Sequence, residues 1–412
     1  MSAEHQSRTV ERLRPFASTI FAEMTALAVA KGAVNLGQGF PDTDGPESML
    51  EAARDAISQG LNQYSPGPGM PVLRHAIAAD RARRFGTEYD PDAQVLVTVG
   101  ATEAIAATVL GLVEPGEEVL LIEPYYDSYA AAVALAGAKR TTVPLVAEGA
   151  GFAVDLDALE RAIGPHTKLL IVNSPHNPTG TVLTRVELTR IAEIACEHDL
   201  LVLTDEVYER LVFDAPQLGH SAGSTPAFSG HSAGSTPALH VPLCTLPGMF
   251  ERTVTVSSAA KTFNATGWKT GWALGPAELI SAVRAAKQFM TFVGGTPFQP
   301  AVAHALDHED AWVENLRRGL QSKRDVLSTA LTKAGLDVKE SSGTYFVCAD
   351  VSPLGETDAL GFCRSLPDRI GVAAVPVTAF VDHPGSWKTL VRFAFCKKDA
   401  VLADAAERLL AL

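Results

Sequence analysis

Two lysines, Lys261 and Lys269, stand eight positions apart in SSAAKTFNATGWKTGW, a stretch that holds no acidic residue. Either could be a solvated side chain, the usual fate of lysine. A lysine that is desolvated or set beside another cation falls from its ordinary pKa of about 10.4 and can capture an aldehyde as a Schiff base. Lys269, with Ser258, could instead hold a phosphate as a point charge.

Other polar residues follow apolar runs in the same way. VLVTV is followed by GATEAI, where Gly100 permits a tight turn and the backbone N–H groups of Ala101 and Thr102 open a helix. That is either an ordinary turn or a phosphate site. NSPHNPTG sets Asn177 between Pro175 and Pro178. Its two prolines fix the loop, and either turn chemistry or an amide offered to a planar ligand explains it. In TDEVY, Asp205 either caps the next segment or neutralises a heterocyclic cation, with Tyr208 donating to the same ring. Taken together these residues describe one ligand: a phosphate, a planar ring with a cationic nitrogen, and an aldehyde. That ligand is pyridoxal phosphate.

The elements that must position these groups are legible as β-rich runs at 95–99, 118–122, 140–145, 169–173, 200–204, 253–256 and 272–274. Helical patterns at 104–112, 128–136 and 185–198 lie between them. Such alternation predicts an α/β fold with a mostly parallel sheet covered on both faces, and ligands at the carboxyl ends of its strands. Beyond about residue 285 a long helical pattern (309–334), strand-like GTYFVCAD and LVRFAF, and a last helix (399–412) suggest a smaller α+β domain. The expected division is an N-terminal segment 1–45 lying with the small domain, a large domain 46–285 and a small domain 286–412. GHSAGSTPA occurs twice, at 219–227 and 230–238. Lacking large apolar residues, the repeat predicts a surface loop, and His220 and His231 have no cysteine or carboxylate beside them to make a metal site. No metal is expected.

The net charge of −13 argues against a nucleic-acid surface. Five scattered cysteines without a C-x-x-C pair suit reduced thiols. The first residues, MSAEHQSRTVERLRPF, lack an apolar signal core, and no apolar run approaches the roughly 20 residues of a membrane span. A cytoplasmic protein is expected. There is no G-x-x-x-x-G-K-[ST], H-E-x-x-H or G-x-S-x-G motif. GQGFPD lacks the third glycine of a dinucleotide fingerprint.

In order and spacing, VTVGATEA, EPYYDSY, NSPHNPTG, TDEVY, SSAAKTFNATGWKTGW and LVRFAF resemble the motifs of class I/II aminotransferases dependent on pyridoxal phosphate, of fold type I. The wording is closest to the actinobacterial N-succinyldiaminopimelate branch and the kynurenine/glutamine branch. The resemblance implies that Lys261 bonds to the cofactor's aldehyde and that Asp205 pairs with its ring nitrogen. Tyr208 and Asn177 would donate to its phenolic oxygen, and Tyr126 would stack on the ring. Ser258, Lys269 and the amides of Ala101 and Thr102 would hold the phosphate. Tyr64, in NQYSPGPG, would reach the phosphate of a neighbouring subunit, which implies a homodimer. Arg392 and the backbone of Gly39 would grip the substrate carboxylate. Lys269 stands where many relatives carry arginine, so the phosphate contact is less directional. The implied reaction is ping-pong transfer of an amino group to 2-oxoglutarate, with N-succinyl-LL-diaminopimelate as donor in the synthesis of lysine and cell-wall precursors. Kynurenine, glutamine or methionine as donor, and β-elimination from cysteine conjugates, are the neighbouring outcomes. A transcription regulator with a degenerate domain of this type would need a DNA-binding domain, and the stretch before Val34 is too short for one.

Overall fold

The computed structural model describes residues 8–17, 19–213 and 240–412. The duplicated GHSAGSTPA stretch, with His220 and His231, lies outside the described residues. Helix α1 (Ile20–Lys31) and a two-residue strand, β1 (Val34–Asn35), open the chain, and α2 (Glu47–Ser58) and α3 (Pro71–Phe85) follow.

A sheet of eight strands then forms: β2 (Val95–Val99), β3 (Glu118–Glu123), β4 (Lys139–Glu148), β5 (Gly151–Val154), β6 (Thr167–Asn173), β7 (Leu201–Asp205), β8 (Thr253–Ser258) and β9 (Thr270–Leu274). Their spatial order is β2-β9-β8-β7-β6-β3-β4-β5. The central five, β4-β3-β6-β7-β8, are parallel, and β5, β9 and β2 join antiparallel to their neighbours. The central strands are near-continuous apolar runs, as strands covered on both faces must be. On one face lie α4 (Gly100–Leu112), Asp127–Ala136 and Ala277–Lys287, through Ile105, Val109, Tyr129 and Val283. On the other lies Arg185–Glu197, through Leu188, Ile191 and Ile194. Each such aliphatic side chain contributes about 1.5–3 kcal/mol on burial. Arg185–Glu197 starts where the sequence predicts because Thr184 and Glu187 form a reciprocal cap. The Glu187 N–H donates to Thr184 Oγ1 at 3.2 Å and the Thr184 N–H to Glu187 Oε2 at 2.7 Å.

Registers bring the strand ends level. Asn173 pairs across from Asp205, and Asp205 from Val256. The carboxyl ends of β2, β6, β7 and β8 therefore share one edge, and β9, running the other way, begins at that edge with Lys269 just before it.

The second unit is an antiparallel sheet of β10 (Asp337–Val338), β11 (Phe346–Asp350), β13 (Val375–Pro376) and β14 (Leu390–Ala394), in the order β10-β11-β14-β13. β12 (Val372–Ala373) pairs in parallel with β1. The helices Asp310–Lys333, Ala359–Ile370 and Asp399–Leu409 pack on this unit through Leu327, Leu331, Phe362, Leu366 and Leu402. The last helix stops three residues short of the predicted end. Met24 of α1 and Leu36 lie in the same core. Phe298–His308 packs instead against α2 and α3, with Val302 and Leu306 beside Met49, Leu73 and Ile77. A division at residue 285 would put this helix in the smaller unit, whereas its apolar face belongs to the larger.

Candidate active site

The aligned strand ends open into a cavity of about 390 Å³ between the two units. Eleven of the twelve residues singled out in the sequence line it: Gly39, Ala101, Thr102 and Tyr126; Asn177, Asp205, Tyr208 and Ser258; and Lys261, Lys269 and Arg392. The twelfth, Tyr64, does not. It is 82% exposed beside Phe292, at a separate surface depression with Asn62 and residues 293–297.

Asp205 ends β7 and is almost wholly buried. The Tyr129 hydroxyl donates to its Oδ2 at 2.6 Å, and the Val207 N–H donates to its Oδ1 at 3.2 Å. Desolvation pushes its carboxyl above the usual range, against these two donors. Among the described residues no lysine or arginine is bonded to it. A buried carboxylate without a bonded cation is what a protonated ring nitrogen would complement. Tyr208, one turn on, stands edge-on to Tyr345 with centroids 5.2 Å apart. Asn173 Nδ2 donates to the Asp205 carbonyl at 2.8 Å, and Asn173 Oδ1 accepts from the Asn177 N–H at 2.8 Å, which ties the two loops together. The bonds before Pro175 and Pro178 are both cis.

Lys261 lies just past the end of β8. Desolvation pushes its ammonium down to about 8, against the pull of Asp205. Its Nζ donates to the Tyr345 hydroxyl at 2.7 Å. An amine with this pKa is neutral in roughly a tenth of molecules at pH 7, far more than an ordinary lysine, and that fraction can act as a base.

The opposite end of the cavity fits a phosphate. No side chain caps the first turn of α4, so the Ala101 and Thr102 amides remain available. Gly100 has φ +73°, and an ideal Cβ there would stand 3.2 Å from Lys269 Nζ. The glycine both permits the turn and lets the lysine close on the helix start. Ser258 is buried at the same edge. Tyr126, the residue expected on the ring face, packs edge-on to Tyr129 at 5.7 Å.

Arg392 enters from β14 and is buried. Its Nη1 donates to Asn177 Oδ1 at 3.0 Å and its Nη2 to the Gly37 carbonyl at 2.9 Å, while Nε has no partner among the described residues. The guanidinium lies 4.0 Å from the Phe346 ring centroid and 4.8 Å from that of Phe380. Desolvation lowers its pKa, yet an arginine stays charged throughout the working range. A buried cation with an unspent N–H could receive a carboxylate. The donor set and the cavity thus fit pyridoxal phosphate together with an amino acid.

Sequence reasoning did not find Tyr129, Tyr345 or Phe346, although all three sit in quoted motifs. Nor did it find a second buried cluster behind Asp205. Arg81 of α3 donates to Glu206 at 3.0 Å and to Glu209, the Ser257 hydroxyl donates to Glu209 at 2.9 Å, and His240 Nε2 lies 3.1 Å from Glu206. Asp205 and Tyr208 face the cavity while Glu206 and Glu209 face this network.

Comparison with known proteins agrees with the site. The solved structure of N-succinyldiaminopimelate aminotransferase from Mycobacterium tuberculosis superposes with a TM-score of 0.91 at 61% identity, covering 98% of this chain and 99% of that one. A methionine aminotransferase of Escherichia coli is 37% identical over 97% of both chains. Kynurenine–oxoglutarate transaminase 3 of mouse is 36% identical over 98% of this chain and 89% of its own length. The sequence model of aminotransferase class I and II matches residues 31–409. The chain belongs to the class I and II aminotransferases, enzymes that work with pyridoxal phosphate.

Proposed function

We propose that this aminotransferase moves the amino group of N-succinyl-LL-diaminopimelate to 2-oxoglutarate, as a homodimer in the cytoplasm. The observation that carries the donor is the 61% identity to the M. tuberculosis enzyme across nearly the whole of both chains, against 36–37% for the methionine and kynurenine enzymes.

Bound pyridoxal phosphate supplies an aldehyde that exchanges amines and a protonated ring that draws electron density from the substrate's Cα. The chain's residues do the rest. Asp205 holds the proton on the ring nitrogen, and Tyr129 holds Asp205. Arg392 grips the α-carboxylate through Nε and an Nη, taking over from Asn177 a position it already keeps. Fixed at that end, the substrate presents its Cα–H to Lys261. Lys261 Nζ, neutral once its proton is lost near pH 8, would take the proton from Cα and hold it as an ammonium. Lys269, Ser258 and the first turn of α4 anchor the phosphate throughout.

Kynurenine or methionine as donor is favoured by one feature. Phe21, Phe40 and Phe346 line the cavity, while its lining cations are Lys261, Lys269 and Arg392. The homodimer is supported by Tyr64, Phe289 and Phe292, which are 82%, 87% and 48% exposed in the single chain. The cytoplasmic placing is supported by five free thiols. Among the described residues no helix is long and apolar enough to cross a membrane.

A panel of amino donors with 2-oxoglutarate tests the proposal, read as glutamate formed. Turnover of kynurenine without turnover of N-succinyl-LL-diaminopimelate refutes the donor. Borohydride reduction followed by peptide mass analysis tests the lysine: an unmodified Lys261 peptide from active enzyme refutes its role. Light scattering of the eluting protein tests the dimer.

A further inference from the structure

Lys261 must be attached to the cofactor at one moment and free at the next, so something must hold the amine when it is free. Its Nζ lies 2.7 Å from the Tyr345 hydroxyl. That hydroxyl in turn donates to the carbonyl of Gly39, the residue whose backbone is proposed to meet the substrate carboxylate. The Tyr345 proton is therefore committed, and the oxygen is left to accept from lysine. Around this pair the geometry is tightly determined. Thr344, immediately before Tyr345, has φ +69°, a conformation foreign to β-branched residues. It is held by its N–H to the Leu211 carbonyl at 2.9 Å and by its Oγ1, which accepts from the Phe346 N–H at 3.1 Å. Strain of this kind persists where the surroundings enforce a position. An ideal Cβ on Gly39 would stand 2.4 Å from Phe346 Cζ, so the loop carrying Gly39 is pressed against this same strand.

We propose that Tyr345 is the positioning residue of the free Lys261 amine. It accepts one N–H, fixes the nitrogen beside the cavity, and leaves the nitrogen's lone pair for the proton on Cα. Tyr345 also ties the base to the carboxylate grip, since the next residue, Phe346, underlies Arg392. This rests on Lys261 being the working amine. Asp205 and Cys396 favour its charged form, Arg392 and Lys269 oppose it, and the Tyr208 ring centroid lies 5.7 Å from Nζ. Against that background an acceptor at 2.7 Å stabilises the ammonium more than the amine, so its removal lowers the pKa further.

The test uses enzyme loaded with pyridoxamine phosphate, the amine form of the cofactor, in which Lys261 is free without any donor having reacted. Trace acetylation with acetic anhydride over a pH series, read on the Lys261 peptide by mass analysis, gives the amine's apparent pKa with or without turnover. Failure here is thereby separated from failure of the proposed reaction. Tyr345→Phe keeps the ring contacts with Tyr208 and Phe346, and the apparent pKa should fall by about one unit. para-Aminophenylalanine placed at 345, which keeps a donor to Gly39 but is a weaker acceptor of nearly the same shape, should give a smaller fall and decides the matter should the phenylalanine variant not fold. Profiles that superimpose on that of the unaltered enzyme, at matched melting temperature and cofactor content, overturn the proposal.

Discussion

Replacing Arg81 with methionine removes one cation from a site where two carboxylates depend on it. Arg81, Glu206 and Glu209 expose 1%, 2% and 4% of their side chains, so water cannot take over the arginine's part. Burial drives both carboxyls up. At Glu206 the charges of Arg81 and His240 outweigh burial and hold it well below the carboxylate range, whereas Glu209 stays raised. The resting arrangement is one ionised carboxylate, one guanidinium and one carboxyl that keeps its proton longer. Breaking such a buried pair from one side costs about 3–5 kcal/mol, a large part of the roughly 5–15 kcal/mol that holds a folded protein together. The pH dependence has a definite sign. Glu206 in its native setting has a depressed pKa, so its contribution is present above the unfolded value of about 4.3 and is lost as pH falls. In Arg81→Met the same carboxyl loses the larger of its two charge partners, and its pKa rises under the burial that remains. Its protonated form is then tolerated, and the penalty grows as pH climbs through the raised pKa. Urea unfolding of cofactor-loaded enzyme, followed by fluorescence at neutral pH and at about pH 5, should show a large loss at neutral pH that shrinks on acidification. Adding Glu206→Gln should restore part of the loss, because the partners are coupled. A neutral-pH midpoint equal to that of the unaltered enzyme, or a penalty that deepens in acid, refutes the reasoning.

Arg392→Lys should lower kcat/KM for the amino donor by about 10- to 100-fold, since a charge-assisted contact is worth about 1.5–3 kcal/mol and a point charge cannot reproduce the fork; steady-state kinetics with unchanged cofactor content checks it. Asp205→Asn keeps the shape beside Tyr129 but cannot hold a proton on the ring nitrogen. Cofactor should still bind while turnover falls by at least about 100-fold, as rapid-mixing absorbance of the half-reaction will show. Lys269→Ala should raise the dissociation constant for pyridoxal phosphate by about 10-fold and leave kcat at saturating cofactor nearly unchanged, which a fluorescence titration measures.

What was legible in the sequence follows from where information is local. VLVTV, LLIVN and LVLTD are strands that advertise themselves, and the residue that ends a parallel strand is at the ligand edge by topology alone. Asp205, Asn177 and Gly100 could therefore be singled out from runs only a few residues long. Tyr129 could not, because its meaning lies in a bond to a residue 76 positions away. Tyr345 was hidden likewise, by a partner 84 positions back. Helix α3 escaped the periodicity reading for another reason. Arg74, Asp80 and Arg81 lie on its buried side, so its inward face does not read as apolar. That Phe298–His308 would pack on α2 and α3 was not legible, because an apolar stripe states that a helix packs, not what it packs against.

The path of the chain through the two units has a further consequence, for synthesis. Among the described residues β2 has one sheet neighbour, β9, some 170 residues later, and α1 rests against Ala359–Ile370. Arg392 follows every cofactor-side residue in the chain. Contacts this distant in the chain form late, so a chain that has not yet reached Arg392 has no completed pocket to offer. The seat for the cofactor, from Ala101 to Lys269, is thus laid down before the strand that brings the grip for the substrate.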